Sequence, residues 1–140
     1  MDGTVVSEHL TDTELVEKAR AVRERAYAPY SGFPVGAALL GRSGAVYTAC
    51  NVENAAYPLT TCAERAAVAK AVSEGERSFE AIAVVTATGA SPCGACRQVL
   101  REFSTPEGDL RVIIADLEGN VETYTIAELL PAGFSSQELA

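Results

Sequence analysis

The run "EAIAVVTA", Glu80 to Ala87, is nearly continuous in apolar residues. A strand with one solvated face alternates, so an unbroken apolar run implies cover on both faces, as in a sheet with helices on either side. The neighbouring segments supply that cover. "CAERAAVAKAVSE", Cys62 to Glu74, reads as a helix, and "ASPCGACRQVLREF" as a loop followed by a helix, with Pro92 suited to a first helical position. Upstream, Thr11 to Tyr27 reads as an amphipathic helix: Leu15, Ala19, Val22 and Ala26 share a stripe, and Thr11 and Glu14 are spaced as a capping box. After the loop "APYSGFPVG", Val35 to Leu40 is a strand, "GRSG" a turn and "AVYTACNV" the returning strand of a hairpin; "ENAAYPLT" is a loop. Beyond the second thiol-bearing helix lie a strand "LRVIIAD", a turn "LEGN", a short strand "VETYT", and a brief helix capped by Thr125 that ends near Pro131. The order α-β-β-α-β-α-β-β-α predicts an α/β fold of three α-β-α layers around a mixed sheet of about five strands. No linker interrupts it, so residues 1–140 are expected to form a single domain.

Composition narrows the function. Hydrophobic residues at 48% and charged residues at 21% are ordinary for a globular chain long enough to bury a core. No apolar run approaches the roughly 20 residues of a membrane span. "MDGTVVSEHL" lacks a basic region followed by an apolar core, so no secretory signal is expected, and His9 in that stretch reads as surface. The formal net charge is −8 and the basic residues are scattered, which argues against a nucleic acid polymer as partner and for a small neutral substrate. Four cysteines without an export signal point to a reducing, cytoplasmic setting, and to metal binding or catalysis rather than disulfides.

Both flanking helices begin with thiols. Cys93 and Cys96 share one helical turn, and with Cys62 they form the arrangement C-x-E…P-C-x-x-C. Three soft protein ligands leave a tetrahedral zinc ion one open position, the catalytic rather than the structural pattern. Water there is acidified by the metal. Glu64, two residues after a ligand, is expected to act on that water as a proton carrier and not as a ligand. The pattern matches the zinc deaminase signature. Three thiolates on one dication carry about one net negative charge, which weakens its Lewis acidity. Helix N-termini favour anions and offset part of that charge. Arg65, the nearest cation in sequence, is expected to donate to a ligand sulfur and draw off more. Each piece also has a plainer explanation. Thr61 and Glu64 are spaced as a capping box. "PCGAC" resembles a redox dithiol, or half of a structural zinc knuckle. Only the deaminase reading accounts for all three cysteines, the glutamate and the proline together. Cys50, late in a strand, reads as a buried free thiol, and Arg97 either serves the site or solvates its helix.

"NVENAAYPLTTCAERAAVAKAVSEG", "SPCGACRQVLREF", "ELLPAGFSSQEL" and "APYSGFPVGAALL" resemble the small homotetrameric cytidine deaminases, from about Ala19 to Leu139. The resemblance implies the cytidine deaminase-like fold and one Zn²⁺ per subunit on Cys62, Cys93 and Cys96. It implies that cytidine and 2'-deoxycytidine are hydrolysed to uridine, 2'-deoxyuridine and ammonia in pyrimidine salvage. Glu64 would carry a proton from the metal-activated water to ring N3 and later to the departing amine. Asn51 and Glu53 would hold the ribose, Phe33 would pack on the base, and Val52, Ala55, Tyr57 and the Ala63 backbone would complete the pocket. Phe134 would reach a neighbouring subunit's base, so a homotetramer with sites at subunit interfaces is implied. Read without the resemblance, Asn51 and Glu53 stand at i and i+2 near a strand end, facing one way, as an amide and an acceptor suited to sugar hydroxyls or as a polar turn. Glu53 would repel a phosphate, favouring nucleosides. The alternatives are a deaminase of a nucleotide or another cytosine or aminopyrimidine derivative, a structural zinc scaffold, and a dithiol oxidoreductase on Cys93 and Cys96.

Overall fold

The computed structural model describes residues 10–139, so His9 lies outside the described residues. Helix α1 runs Asp12–Arg23, and Thr11 and Glu14 close its capping box reciprocally. It stops short of Tyr27 because the chain there turns to pair: Tyr27 N–H donates to Asn51 O at 3.0 Å and Tyr27 O accepts from Glu53 N–H at 2.8 Å. Strands β1 (Gly36–Gly41) and β2 (Val46–Cys50) form the hairpin, followed by a 3-10 turn at Tyr57–Leu59 and α2 at Ala63–Ser73. Strand β3 (Phe79–Val85), α3 (Gly94–Glu102), β4 (Arg111–Ala115), β5 (Val121–Thr125), α4 (Ile126–Leu129) and a 3-10 turn at Ser136–Leu139 complete the order. The nine α and β elements predicted from sequence recur in the same succession.

The five strands lie in the order β2-β1-β3-β4-β5. β1 is antiparallel to β2 and β3, β3 is parallel to β4, and β4 is antiparallel to β5, so the sheet is mixed. Side-chain alternation divides the core in two. Ala37, Leu39, Ile82, Val84, Val112 and Ile114 face α2 and α3, where Ala67, Ala71 and Leu100 meet them. Ala38, Leu40, Ala81, Ala83, Val85, Ile113 and Ala115 face α1, against Leu15, Val16 and Ala19. The "EAIAVVTA" run is therefore apolar because each face of β3 supports a helix.

The α1 side is built from small residues, and α1 lies close. A Cβ on Gly36 would collide with Ala19 O and come within 2.8 Å of Arg23 N. On the other side Phe79 and Phe103 meet with ring centroids 5.3 Å apart and planes tilted by 52°. Because α2 leads into β3 and α3 leaves it, both helices begin beside the C-terminal end of β3.

Candidate active site

Those two beginnings are Cys62 and Cys93. Each is the N-cap of its helix, with extended backbone and no side-chain capping bond. One of the plainer explanations and one sequence expectation fail here. Cys62, not Thr61, is the cap of α2, so the Thr61–Glu64 capping box does not form; Thr61 N–H is instead bonded to Val52 O at 2.9 Å. Pro92 precedes the N-cap of α3 rather than opening the helix, because Cys93 holds the cap position. Val52 bridges Tyr27 on one side and Thr61 on the other, and this small ladder lays "NVE" alongside Cys62.

The Sγ atoms of Cys62, Cys93 and Cys96 all lie within 4.8 Å of one another, and those of Cys93 and Cys96 are 3.5 Å apart. Tetrahedral Zn–S bonds of about 2.3 Å require S···S separations of about 3.8 Å, so this cluster is of the right size for one ion. Arg65 Nη2 donates to Cys62 Sγ at 3.2 Å, and Arg65 Nε is buried without a hydrogen-bond partner among the described residues. A cation held there suits a cluster that becomes anionic when its thiols ionise. Burial raises the Cys93 thiol, but the Cys96 and Ala95 N–H groups and the Cys96 thiol outweigh it and leave the group lowered. Burial chiefly, then the charges of Glu64 and Cys62, pushes Cys96 up. A divalent cation removes that conflict by holding all three as thiolates.

Glu64 is buried on α2, 6% exposed. Burial pushes its carboxyl above the ordinary value, opposed by its own backbone N–H and by the Arg65 charge. A raised carboxyl suits a group that must both take up and release a proton. It lines a cavity of about 320 Å³ with Phe33, Asn51, Glu53, Ala63 and the three cysteines.

Asn51 is buried and already employed: its Oδ1 accepts from Val35 N–H at 2.9 Å and its Nδ2 donates to Phe33 O at 3.0 Å. It thus fixes the loop that presents Phe33, keeping one amide hydrogen and one lone pair spare. Glu53 accepts from Tyr30 N–H at 2.9 Å, from Ser31 N–H at 3.1 Å and from the Ser31 hydroxyl. The Ser31 hydroxyl, more than anything else, holds its carboxyl below the usual value. Glu53, Ser31 and Thr60 also border an adjoining recess with Tyr30 and Tyr57, whose rings meet edge to face at 6.3 Å.

Val52, Ala55, Tyr57 and Phe134 do not line the cavity beside the thiols. Tyr57 reaches only the adjoining recess and is 73% exposed, and Phe134 is 54% exposed. Conversely Ser31, Thr60, Thr86, Ala90 and Ser91 line the cavity without having been singled out from sequence. One signal was present: Thr86 closes an otherwise apolar strand. Its Oγ1 accepts from Ala90 N–H at 2.9 Å and folds "TATGA" over the site. Cys50 ends β2 only half-buried, apart from the cluster.

Three thiols that fit one metal ion and a buried carboxyl, gathered at two helix starts on a mixed α/β/α sheet, define a metal-dependent deaminase centre. Residues 10–109 match the family described as cytidine and deoxycytidylate deaminase zinc-binding region. Cytidine deaminase of Sporosarcina psychrophila is 52% identical over 91% of this chain and 93% of its own length, and that of Halalkalibacterium halodurans 48% over 89% and 95%. The crystal structure of cytidine deaminase from Burkholderia pseudomallei superposes with a TM-score of 0.85 at 47% identity, covering 89% of this chain and 100% of that one. The chain belongs to the cytidine and deoxycytidylate deaminase family.

Proposed function

We propose that this protein hydrolyses the exocyclic amine of cytidine and 2'-deoxycytidine, using water to give uridine or 2'-deoxyuridine and ammonia, in pyrimidine salvage. The observation that carries this reading is the buried Glu64 beside three convergent thiols in one cavity. Zinc held by Cys62, Cys93 and Cys96 supplies Lewis acidity and lowers the pKa of water. The protein's own residues do the rest. Glu64 takes a proton and delivers it to ring N3 and then to the departing amine. Phe33 packs on the base, the Ala63 backbone borders it, and the free valences of Asn51 and Glu53 meet the ribose hydroxyls, with Val52, Ala55 and Tyr57 behind them. The ionised Glu53 repels phosphate, which favours nucleosides over nucleotides.

The reading extends to assembly: one domain per chain, four chains per molecule, and Phe134 of each reaching the base held by another. The support is the exposure of Phe134 and Tyr57 on an isolated chain. A reducing compartment such as the cytoplasm suits thiols that must stay unoxidised to hold metal.

Ammonia release from cytidine, cytidine monophosphate and a cytosine-containing oligonucleotide tests substrate class. Cytidine is expected to turn over fastest, and an equal rate on the oligonucleotide would overturn the reading. Glu64→Gln should keep its fold and about one zinc per chain while kcat drops by about 10³-fold, within the range for loss of a general acid–base. Wild-type kcat in that variant would remove Glu64 from the mechanism.

A further inference from the structure

Arg97 immediately follows Cys96 on α3, and its backbone N–H donates to Cys93 O at 3.0 Å. Its guanidinium turns back under the helix start. Nε donates to Pro92 O at 2.8 Å, Nη2 to Ser91 Oγ at 2.6 Å, and Nη1 to Leu129 O at 2.7 Å. All three acceptors are oxygens, none of them a metal ligand. They come from two segments: the loop entering Cys93, and the last turn of α4. The adjacent Gln98 Nε2 donates to Phe134 O at 2.8 Å, so one helical turn grips two points of the C-terminal segment.

The location matters because Cys93 is the thiol least enclosed by the fold. It is exposed, whereas Cys62 is half-buried and Cys96 buried. Cys62 has Arg65 on its sulfur. The peptide plane that enters Cys93 carries the Pro92 carbonyl, which points back beneath the start of α3. Arg97 takes that carbonyl. A planar fork with donors in fixed directions holds several oxygens at set angles, which a lysine ammonium cannot do.

We propose that Arg97 is a positioning residue for Cys93: by clamping the Pro92–Cys93 peptide and the Ser91 hydroxyl against the end of α4, it aims the Cys93 sulfur at the metal position. This rests on the zinc-site reading above. Loss of the clamp frees the peptide that enters Cys93, and with it the direction in which that side chain leaves the backbone.

The test uses full-length wild type, Arg97→Ala and Arg97→Lys, each loaded with zinc or with cobalt(II). Arg97→Ala is expected to release metal to a chelator about 10–100-fold faster, the range for lost support around a ligand. It should also show an altered thiolate-to-cobalt charge-transfer spectrum and a lower kcat at nearly unchanged KM. Arg97→Lys, which regains the charge and one bond, should fall between. If Arg97→Ala does not fold, Arg97→Lys decides alone by the same readouts. Wild-type release rate and cobalt spectrum in the folded variants, even with a lower Tm, would overturn the clamp and leave the zinc site standing. Wild-type protein that takes up no cobalt would overturn both.

Discussion

Arg65 sits one position beyond Glu64, yet the two side chains have separate tasks. Glu64 faces the cavity; Arg65 reaches the Cys62 sulfur at 3.2 Å. Three thiolates around a dication leave an excess of negative charge, and a guanidinium on one sulfur withdraws part of it. Arg65→Ala is therefore expected to retain about one zinc per chain while kcat falls about 10–100-fold, measured by metal analysis alongside steady-state kinetics. Full turnover in that variant would show that the bond at Cys62 is only structural. Such residues were legible in the sequence because thiols and a carboxylate at fixed short spacings have few other uses. Thr86 and Ser91 were not, since hydroxyls are common in loops and their arrival in the cavity depends on how "TATGA" folds back. Asn51 was read for its chemistry but not for the backbone work that occupies it.

At the scale of elements, hydrophobic period and capping signals predicted the order of helices and strands, and errors fell where pairing or a ligand displaced local preference. α1 loses its last turn to the Tyr27–Val52 bridge. Cysteines occupy both caps at the site, although serine or threonine would satisfy the helix ends better. That substitution costs local stability and places sulfur where helix N–H groups stabilise its anion. The closeness of α1 to β1 could not be read from periodicity. It depends on Gly36, where a methyl group would collide with the α1 backbone at Ala19 and Arg23. Gly36→Ala should cost about 1–3 kcal/mol, as overpacked core positions do, lowering Tm by several degrees in a thermal melt. Arg23 Nε also donates to Pro34 O at 3.2 Å, so a displaced α1 pulls on the loop that presents Phe33, and KM should rise with the loss of stability. An unchanged Tm would show that α1 shifts without cost.

For the whole molecule, the described chain leaves a set of aromatic rings uncovered. Tyr27, Tyr30, Tyr57 and Phe134 are all more than half exposed, although aromatic rings normally find cover. Mixing two inactive proteins tests whether that cover comes from another copy. In the proposed assembly a Glu64→Gln chain lacks the proton carrier, and a Phe134→Ala chain lacks the ring for its neighbour's base. If sites are shared, exchange of subunits should create sites with an intact Glu64 from one chain and an intact Phe134 from the other. Activity should then rise above either parent, and its absence after proven exchange would confine each site to one chain. Strand β3 lies between the ligand-bearing segments in the chain. Cys62 precedes that strand and Cys93 and Cys96 follow it, so the α2–β3–α3 path is what brings the sulfurs together at one end of β3. A chain emerging from the ribosome can present all three sulfurs only after Cys96 has left the exit tunnel, so an ion held by the full set ties together two segments separated by a whole strand.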